Sequence, residues 1–122
     1  MNNRIDNKEL RKVVFAKYDG HCAYCGCKLG ERFSIDHLVP LRRWDTSLPK
    51  GESKLHNYLP ACHSCNSGKN SFDLEVWRKQ IQNRFDVLQR DSSQFRILLR
   101  FNVIQKTNQD VVFYFEKHGG LK

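Results

Sequence analysis

Apolar residues near the N-terminus recur at helical spacing. They fall on one side of a helix predicted over residues 7–18, at Leu10, Val13, Val14 and Tyr18. Asp6 is of a residue type that caps helix N-termini, and Asp19-Gly20 is a natural C-terminal stop. The spacing therefore predicts an N-terminal amphipathic helix that ends just before a cysteine-containing turn.

Alternating apolar and polar residues over 33–39 predict a β-strand, which Pro40 ends. Residues 41–56 are rich in polar side chains and in turn-forming residues, a composition typical of an irregular loop. Residues 57–60 favour a short second strand, and the polar segment 66–70 is predicted to form turns. The middle of the chain therefore predicts a pair of strands separated by a long loop.

The clearest periodicity lies over residues 72–88 and predicts a long helix. Its apolar positions recur every three or four residues, at Leu74, Trp77, Ile81, Phe85 and Leu88. Residues 91–93 interrupt this pattern and are suited to cap a further helix over 94–101. Residues 111–115 are apolar and aromatic, which favours a strand. The predicted fold class is α+β, with an N-terminal helix, a strand pair, a helix and a C-terminal extension of helix and strand.

Length and charge narrow the class of protein. The chain has 122 residues, which fits one domain, and its net charge is +8. Such a charge is typical of domains that bind polyanions, although it indicates attraction and not an activity. No apolar run is long enough to span a bilayer, and the N-terminus carries no signal-peptide pattern. We therefore expect a cytoplasmic protein without a membrane partner.

Two CxxC pairs predict a metal site. Cys22 and Cys25 form the first pair, and Cys62 and Cys65 form the second. Four thiolates suit tetrahedral zinc, and a closed shell of four protein ligands leaves no open position for catalysis. We therefore predict a structural zinc ion that ties two parts of a small fold together. Cys27 is predicted to be a bystander thiol, with competition against Cys25 for the metal as the alternative.

The segment between the cysteine pairs carries a second pattern. It contains Asp36-His37, two apolar residues and Pro40, then Asn57 before the second CxxC and Asn66 directly after it. With these elements in this order, the chain resembles the zinc-bearing members of the HNH endonuclease family, whose fold is called ββα-metal. Each element alone has little specificity, but the combination is specific.

The resemblance covers residues 18–77 and implies both an organisation and an activity. It implies one HNH nuclease domain over residues 1–122, with a ββα-metal core at 18–77 stapled by the four-cysteine zinc site. Residues 78–122 would be an extension. The implied reaction is hydrolysis of DNA phosphodiester bonds, by nicking or by double-strand cutting, with 5′-phosphate and 3′-hydroxyl products.

Phosphodiester hydrolysis requires a deprotonated water and neutralisation of the phosphate charge. His37 is the predicted general base, because an imidazole titrates near neutrality. Asp36 and Asn66 offer the oxygen ligands that Mg²⁺ or Mn²⁺ prefers. The resemblance implies these roles, and it implies that the Asn57 amide bonds across the loop. The family name would place a histidine at position 66, so Asn66 is read as a variant, with His63 as the alternative ligand.

The strand geometry imposes one condition on this site. Asp36 and His37 are sequence neighbours, and neighbours on a flat strand point to opposite faces. We therefore expect a strand end, a bulge or a sharp twist at this pair, with Pro40 helping to end the pairing.

Basic side chains flank the predicted hydrolytic centre. Those predicted to contact nucleic acid are Arg42, Arg43, Lys69 and Arg78, with a plain solvated residue as the equal alternative for Lys69. Trp44 is predicted to pack under the loop, with stacking on a base as the alternative. Because no helix presents an obvious base-reading face, we expect binding to double-stranded DNA with little sequence specificity.

Two other interpretations of the sequence remain open. A non-catalytic zinc-knuckle module that binds DNA or RNA explains the charge and the cysteines equally well, but not the Asp-His pair and the two asparagines. A nuclease directed at RNA would use the same site as one directed at DNA. The sequence does not distinguish a monomer from a homodimer.

Overall fold

The computed structural model describes residues 7–42, 47 and 49–122, and contains five α-helices and two strands within that range. The elements are α1 (Lys8–Ala16), β1 (Ser34–His37), a 3₁₀ helix (Leu55–Asn57), β2 (Tyr58–Ala61), α2 (His63–Lys69), α3 (Leu74–Asp91), α4 (Ser93–Arg100) and α5 (Tyr114–Lys117). The chain forms two compact units. Among the described residues, unit 1 comprises those up to Leu74 together with Val112–Lys122, and unit 2 is Glu75–Val111.

The N-terminal helix α1 is confirmed, with both ends shifted inward. Asn7 caps it, because the Asn7 side chain accepts hydrogen bonds from the backbone N–H groups of Glu9 and Leu10. The predicted cap, Asp6, lies outside the described residues. The chain leaves the helix through Asp19 and Gly20, whose φ angles of 52° and 78° are left-handed. The helix therefore ends earlier than the predicted residue 18.

The two predicted strands pair antiparallel. Ser34 lies opposite Ala61 and His37 lies opposite Tyr58. All four residues of β2 are buried, whereas β1 is only partly buried. Helix α1 contacts β2, and α2 contacts β1. The fold of unit 1 is therefore the predicted α+β arrangement built around a very small sheet.

Helix α2 is a correction to the turn predicted over residues 66–70. It begins directly after Cys62, whose sulfur accepts the backbone N–H of Cys65 at 3.4 Å. It ends at Lys69, whose side chain is fully buried. This segment is polar and only seven residues long, so no apolar periodicity marks it as a helix. The Cys62 sulfur caps its start, and the Lys69 side chain at its end is buried.

The C-terminal segment is a second correction. Residues 111–115 were predicted to form a strand, but α5 begins at Tyr114. The backbone N–H groups of Tyr114 and Phe115 donate to the carbonyls of Tyr24 and Ala23, at 2.9 and 2.8 Å. Phe113 and Phe115 are both buried, as alternate residues of a strand would be. The C-terminal segment therefore belongs to unit 1 and covers the first cysteine turn.

Unit 2 contains most of α3 and all of α4. Both were predicted, over 72–88 and 94–101, and the structure shifts their bounds by one to three residues. Ser92 caps α4 by accepting the backbone N–H of Phe95 at 3.1 Å. The Phe85 and Phe95 rings meet edge to face, with centroids 5.0 Å apart. None of the helices in the described part of the chain is long and apolar enough to cross a bilayer.

Candidate metal centre and active site

The first cysteine turn is held closed by backbone hydrogen bonds. The N–H of Cys22 donates to the Cys27 carbonyl at 2.8 Å, and the N–H of Gly26 donates to the Cys22 carbonyl at 2.9 Å. Gly26 has a φ of 80°, which a residue with a side chain adopts only at a cost. This turn brings three cysteines of a six-residue segment close together.

Four thiols lie together in the structure. The sulfur atoms of Cys22, Cys25, Cys27 and Cys62 are all within 4.8 Å of one another. The Cys25 and Cys62 sulfurs are 3.8 Å apart. A tetrahedral zinc with Zn–S bonds of about 2.3 Å separates its sulfur atoms by about 3.8 Å, so the donor set and its spacing fit zinc. The first CxxC pair, Cys27 and the first cysteine of the second pair are thus brought to one candidate metal site.

Cys65 completes a cluster of five thiols. Its thiol hydrogen-bonds to the sulfur of Cys22, which lowers the pKa of Cys22 to about 4 and raises the pKa of Cys65 above its ordinary value. The thiolate is the form that binds a metal. The four sulfurs that lie within 4.8 Å of one another therefore include three of the predicted ligands and Cys27, which was predicted to be a bystander. Cys65, the fourth predicted ligand, lies beside this group against Cys22.

Asp36 is buried at the centre of a polar network. Its Oδ2 atom accepts a hydrogen bond from the Tyr24 hydroxyl and lies 3.1 Å from the Lys69 ammonium. Lys69 also donates to the carbonyl oxygen of His37 at 3.0 Å. Burial, followed by the charge of Asp36, raises the pKa of Tyr24 well above its ordinary range, so the hydroxyl stays a donor. Lysine and tyrosine together fix the carboxylate and the end of β1.

His37 is the last residue of β1 and is partly exposed. Its Nε2 atom lies 3.2 Å from the Ser53 hydroxyl, and its ring meets Tyr58 edge to face at 5.3 Å. The contacts of its side chain therefore differ from those of Asp36, as alternation along a strand requires. The strand ends at this residue, which is one of the three geometries expected for the pair.

Asn57 is buried beneath the loop that precedes β2. Its side-chain oxygen accepts the backbone N–H of Val39 at 2.9 Å, and its amide donates to the carbonyls of Val39 and Glu52 at 3.0 and 2.9 Å. These bonds join the segment after β1 to the loop that carries Ser53. The catalytic assignment of Asn57 remains a prediction.

The second predicted oxygen ligand lies on α2. Asn66 is half-buried and precedes Lys69 by three residues, which places the two side chains on one side of the helix. Since Lys69 reaches Asp36, this is the side of α2 that contacts β1. His63, the alternative ligand, is the first residue of α2 and is exposed.

Three of the basic residues predicted to contact nucleic acid have partners within the protein. Arg42 pairs with Asp73, and the Arg42 side chain is only 7% exposed. The Lys69 side chain has no exposed surface and lies at the end of α2, so in this structure it is not accessible to a phosphate. Arg78 donates to Glu75 and to the Val111 carbonyl within unit 2. Arg43 and Trp44 lie outside the described residues.

The sequence interpretation missed two residues of this site. Tyr24 lies between the cysteines of the first pair, and its bond to Asp36 had no signal in the pattern. Ser53 lies in a loop with no recognisable motif. Both contacts join segments that are far apart in sequence, so only the folded chain reveals them.

Comparison with known proteins supports the family. Residues 22–72 match the family model of the HNH endonucleases. A segment of 71 residues is 30% identical to the "SPbeta prophage-derived putative HNH endonuclease YoqL" of Bacillus subtilis (strain 168), covering 56% of this chain and 31% of that protein. The chain therefore spans about a third of the length of this relative.

A solved structure, the Type II-C Cas9 enzyme from Actinomyces naeslundii, is similar with a TM-score of 0.49 and 25% identity, over 58% of this chain and 8% of that one. The family model and the Bacillus relative confirm the resemblance to the HNH endonuclease family, and residues 22–72 carry it. Strands β1 and β2 with α2 form its small ββα-metal core, so the helix of the core is α2 and not the longer helix predicted over 72–88.

Proposed function

We propose that this protein is a metal-dependent endonuclease that hydrolyses DNA phosphodiester bonds, with His37 as the general base. One observation carries the proposal. A partly exposed imidazole ends β1 directly beside a buried carboxylate, and Lys69 bonds both to that carboxylate and to the His37 backbone. A zinc module that only binds nucleic acid has no need of a carboxylate and an imidazole fixed in this way.

In the proposed reaction, His37 accepts the proton of the attacking water at Nε2, the ring nitrogen that lies beside Ser53. Asn57 keeps the backbone after β1 and the Ser53 loop in place through its three hydrogen bonds. Pre-positioning of this kind contributes to rate because the base does not have to be reorganised during the reaction. The proposed products carry a 5′-phosphate and a 3′-hydroxyl.

Asp36 and Asn66 are the residues that would hold a catalytic Mg²⁺ or Mn²⁺. Tyr24 and Lys69 both bind Oδ2 of Asp36, and a carboxylate retains further acceptor sites on its second oxygen. One carboxylate and one amide are too few for tight binding, and the Lys69 ammonium beside the carboxylate weakens it further, so the cation would keep water and phosphate ligands. The chemistry such a cation supplies is neutralisation of phosphate charge and stabilisation of the leaving oxygen.

The structural metal is proposed to be zinc, held by cysteines of the five-thiol cluster. For substrate we propose double-stranded DNA, supported by the net charge of +8 and by the family resemblance. We propose that residues 1–122 act as one nuclease domain. Its core would extend beyond the predicted 18–77 to include Val112–Lys122, because that segment packs in unit 1.

Plasmid cleavage tests the proposal. Supercoiled DNA is incubated with the zinc-loaded protein, with and without Mg²⁺ or Mn²⁺, comparing wild type with His37→Ala. His56→Ala is the matched control, since the His56 side chain is 66% exposed and its contact with Glu52 is weak, at 3.6 Å. We expect metal-dependent cutting by wild type and by the control, with a loss of at least about a hundredfold in His37→Ala.

Other outcomes are equally informative. Accumulation of open circles first indicates nicking by a monomer, whereas early linear product indicates paired sites. Cutting of matched RNA in preference to DNA would replace the proposed substrate. If folded, zinc-loaded wild type shifts DNA on a gel but cuts no nucleic acid with either cation, the binding-module alternative is the better account. A loss of activity in His63→Ala but not in Asn66→Ala would move the cation ligand to His63.

A further inference from the structure

The metal centre contains one more thiol than tetrahedral zinc needs. Cys27 lies within 4.8 Å of Cys22, Cys25 and Cys62, so these four sulfurs alone make a complete tetrahedral set. Cys65 lies beside the same group on α2. Its thiol hydrogen-bonds to Cys22, and its backbone N–H donates to the Cys62 sulfur at 3.4 Å. Cys22, Cys25 and Cys62 are therefore common to this set and to the set that the two CxxC pairs predict.

We propose that Cys27 is an alternative fourth zinc ligand, which exchanges with Cys65 around a common set of Cys22, Cys25 and Cys62. The exchange is a ligand substitution without a change of redox state. Cys27 loses its thiol proton when it binds zinc, and Cys65 takes up a proton when it leaves. The inference depends on the metal site and not on nuclease activity.

The backbone around Cys27 supports this role. The carbonyl of Cys27 accepts the N–H of Cys22, and Gly26 turns the chain with a φ of 80°. Cys27 is therefore held by the backbone in the same closed turn as Cys22 and Cys25. Its thiol is exposed, whereas Cys65 is half-buried.

The exchange has a consequence for the rest of the site. Cys65 lies on α2, directly before Asn66 and four residues before Lys69. With Cys65 as the fourth ligand, zinc binds α2 at two points, Cys62 and Cys65. With Cys27 in its place, only Cys62 at the start of α2 remains attached, so the helix that carries Asn66 is held less firmly by the metal.

Cobalt substitution tests the proposal, because Co²⁺ reports the number of thiolates around it in its visible and charge-transfer spectrum. The variants are Cys27→Ser, Cys65→Ser and the double variant, each titrated with Co²⁺ and then with Zn²⁺. We expect each single variant to bind one equivalent with a four-thiolate spectrum. The double variant should show three thiolates and bind zinc at least about tenfold more weakly.

Cys62→Ser is the matched control, because Cys62 is half-buried like Cys65 and belongs to the same CxxC pair. It removes a shared ligand, so its spectrum should lose the four-thiolate form although both Cys27 and Cys65 remain. A Cys65→Ser spectrum equal to that of the double variant would overturn the proposal. A four-thiolate spectrum in Cys62→Ser would also overturn it, since the three sulfurs would then not be a common set.

A measurement on the unaltered protein covers the case in which Cys65→Ser does not fold. Zinc-loaded wild type is alkylated with iodoacetamide, and the modified cysteines are identified by mass spectrometry. If Cys27 shares the metal, it should react several-fold more slowly than in the denatured chain, and a fraction of molecules should be labelled at Cys65 instead. Rapid, complete labelling of Cys27 with none at Cys65 would show a fixed shell and exclude the exchange.

Discussion

The Lys69 ammonium lies 3.1 Å from the Asp36 carboxylate, with the two side chains 0% and 9% exposed. The same ammonium donates to the carbonyl of His37. One lysine near the end of α2 thus compensates the buried charge at the proposed active site and holds the backbone of the proposed base. Its role is therefore positional and electrostatic within the protein.

Lys69→Met should destabilise unit 1 severely. Methionine retains most of the aliphatic side chain but removes the charge. Of the two contacts described for Oδ2 of the buried Asp36, the variant keeps the one with the Tyr24 hydroxyl and loses the one with Lys69. Removing one partner of a buried ion pair costs about 3–5 kcal/mol. Urea unfolding of the zinc-loaded protein measures the change in the free energy of unfolding.

Lys12→Met is the control for this prediction. Lys12 pairs with Glu9 across one turn of α1, but both side chains are at least 75% exposed. An exposed pair contributes well under about 1 kcal/mol, so the control should unfold like wild type. Equal unfolding free energies in the Lys69 and Lys12 variants would mean that the Asp36–Lys69 contact does not persist in solution.

Asn57→Ala should loosen the loop beside His37. The substitution leaves the Val39 N–H and the carbonyls of Val39 and Glu52 without the partners seen here. A buried group left unsatisfied costs about 1–3 kcal/mol. Hydrogen exchange detected by NMR should show faster exchange of the Val39 amide. Asn83→Ala, at an exposed position of α3, should leave it unchanged. Unaltered protection of that amide in Asn57→Ala would contradict the structure.

Gly26→Ala should weaken the metal site. A Cβ at Gly26 would lie 2.3 Å from Cδ1 of Tyr114, and the φ of 80° is unfavourable for alanine. The backbone alone costs about 1–2 kcal/mol, before the Tyr114 ring has to move. Gly30→Ala is the control, because a Cβ there has nothing within 4 Å. Thermal unfolding and zinc release to a chelator are compared between Gly26→Ala and Gly30→Ala. Similar melting temperatures and similar zinc release in the two variants would contradict a tight turn at Gly26.

Phe113→Ala should destabilise unit 1 although it lies far along the chain from the sheet. The side chain is 2% exposed and meets Tyr24 edge to face at 5.7 Å. Truncation of a buried phenylalanine costs about 3–5 kcal/mol. The adjacent Val112 is 47% exposed, so Val112→Ala should cost less than about 1 kcal/mol. Calorimetry distinguishes the two, and a similar melting temperature for both would place Phe113 outside the core.

Local patterns in the sequence predicted those parts of the structure that local forces determine. Helix α3 was predicted because its apolar residues recur over many turns. The cysteine cluster was predicted because paired CxxC motifs in one chain are typical of a metal site. Helix α2 was missed because it is short and polar. Residues 111–115 were assigned to a strand because they are apolar and aromatic, yet Phe113 and Phe115 are buried because this segment packs on the first cysteine turn.

The polar partners of the site were beyond prediction for a similar reason. Lys69 was predicted to contact nucleic acid because basic residues that flank a hydrolytic centre are suited to bind the phosphate backbone. Its actual partner, Asp36, is distant in sequence and is reached only when α2 contacts β1. Cys27 was set aside because four thiols suffice for zinc, and only the folded turn brings the fifth sulfur into the cluster.

The return of the C-terminal segment to unit 1 has a consequence for the order of folding. Tyr18 donates to the Gly120 carbonyl across a separation of 102 residues, and two carbonyls of the first cysteine turn accept N–H groups of the same C-terminal segment. Contacts between residues so distant in sequence form late and slow the folding of a small domain. On the ribosome, both cysteine pairs emerge well before Phe115 does. We therefore expect zinc to bind the cysteine pairs during synthesis, before the C-terminal segment has folded. The aromatic residues of that segment would then pack against the first cysteine turn.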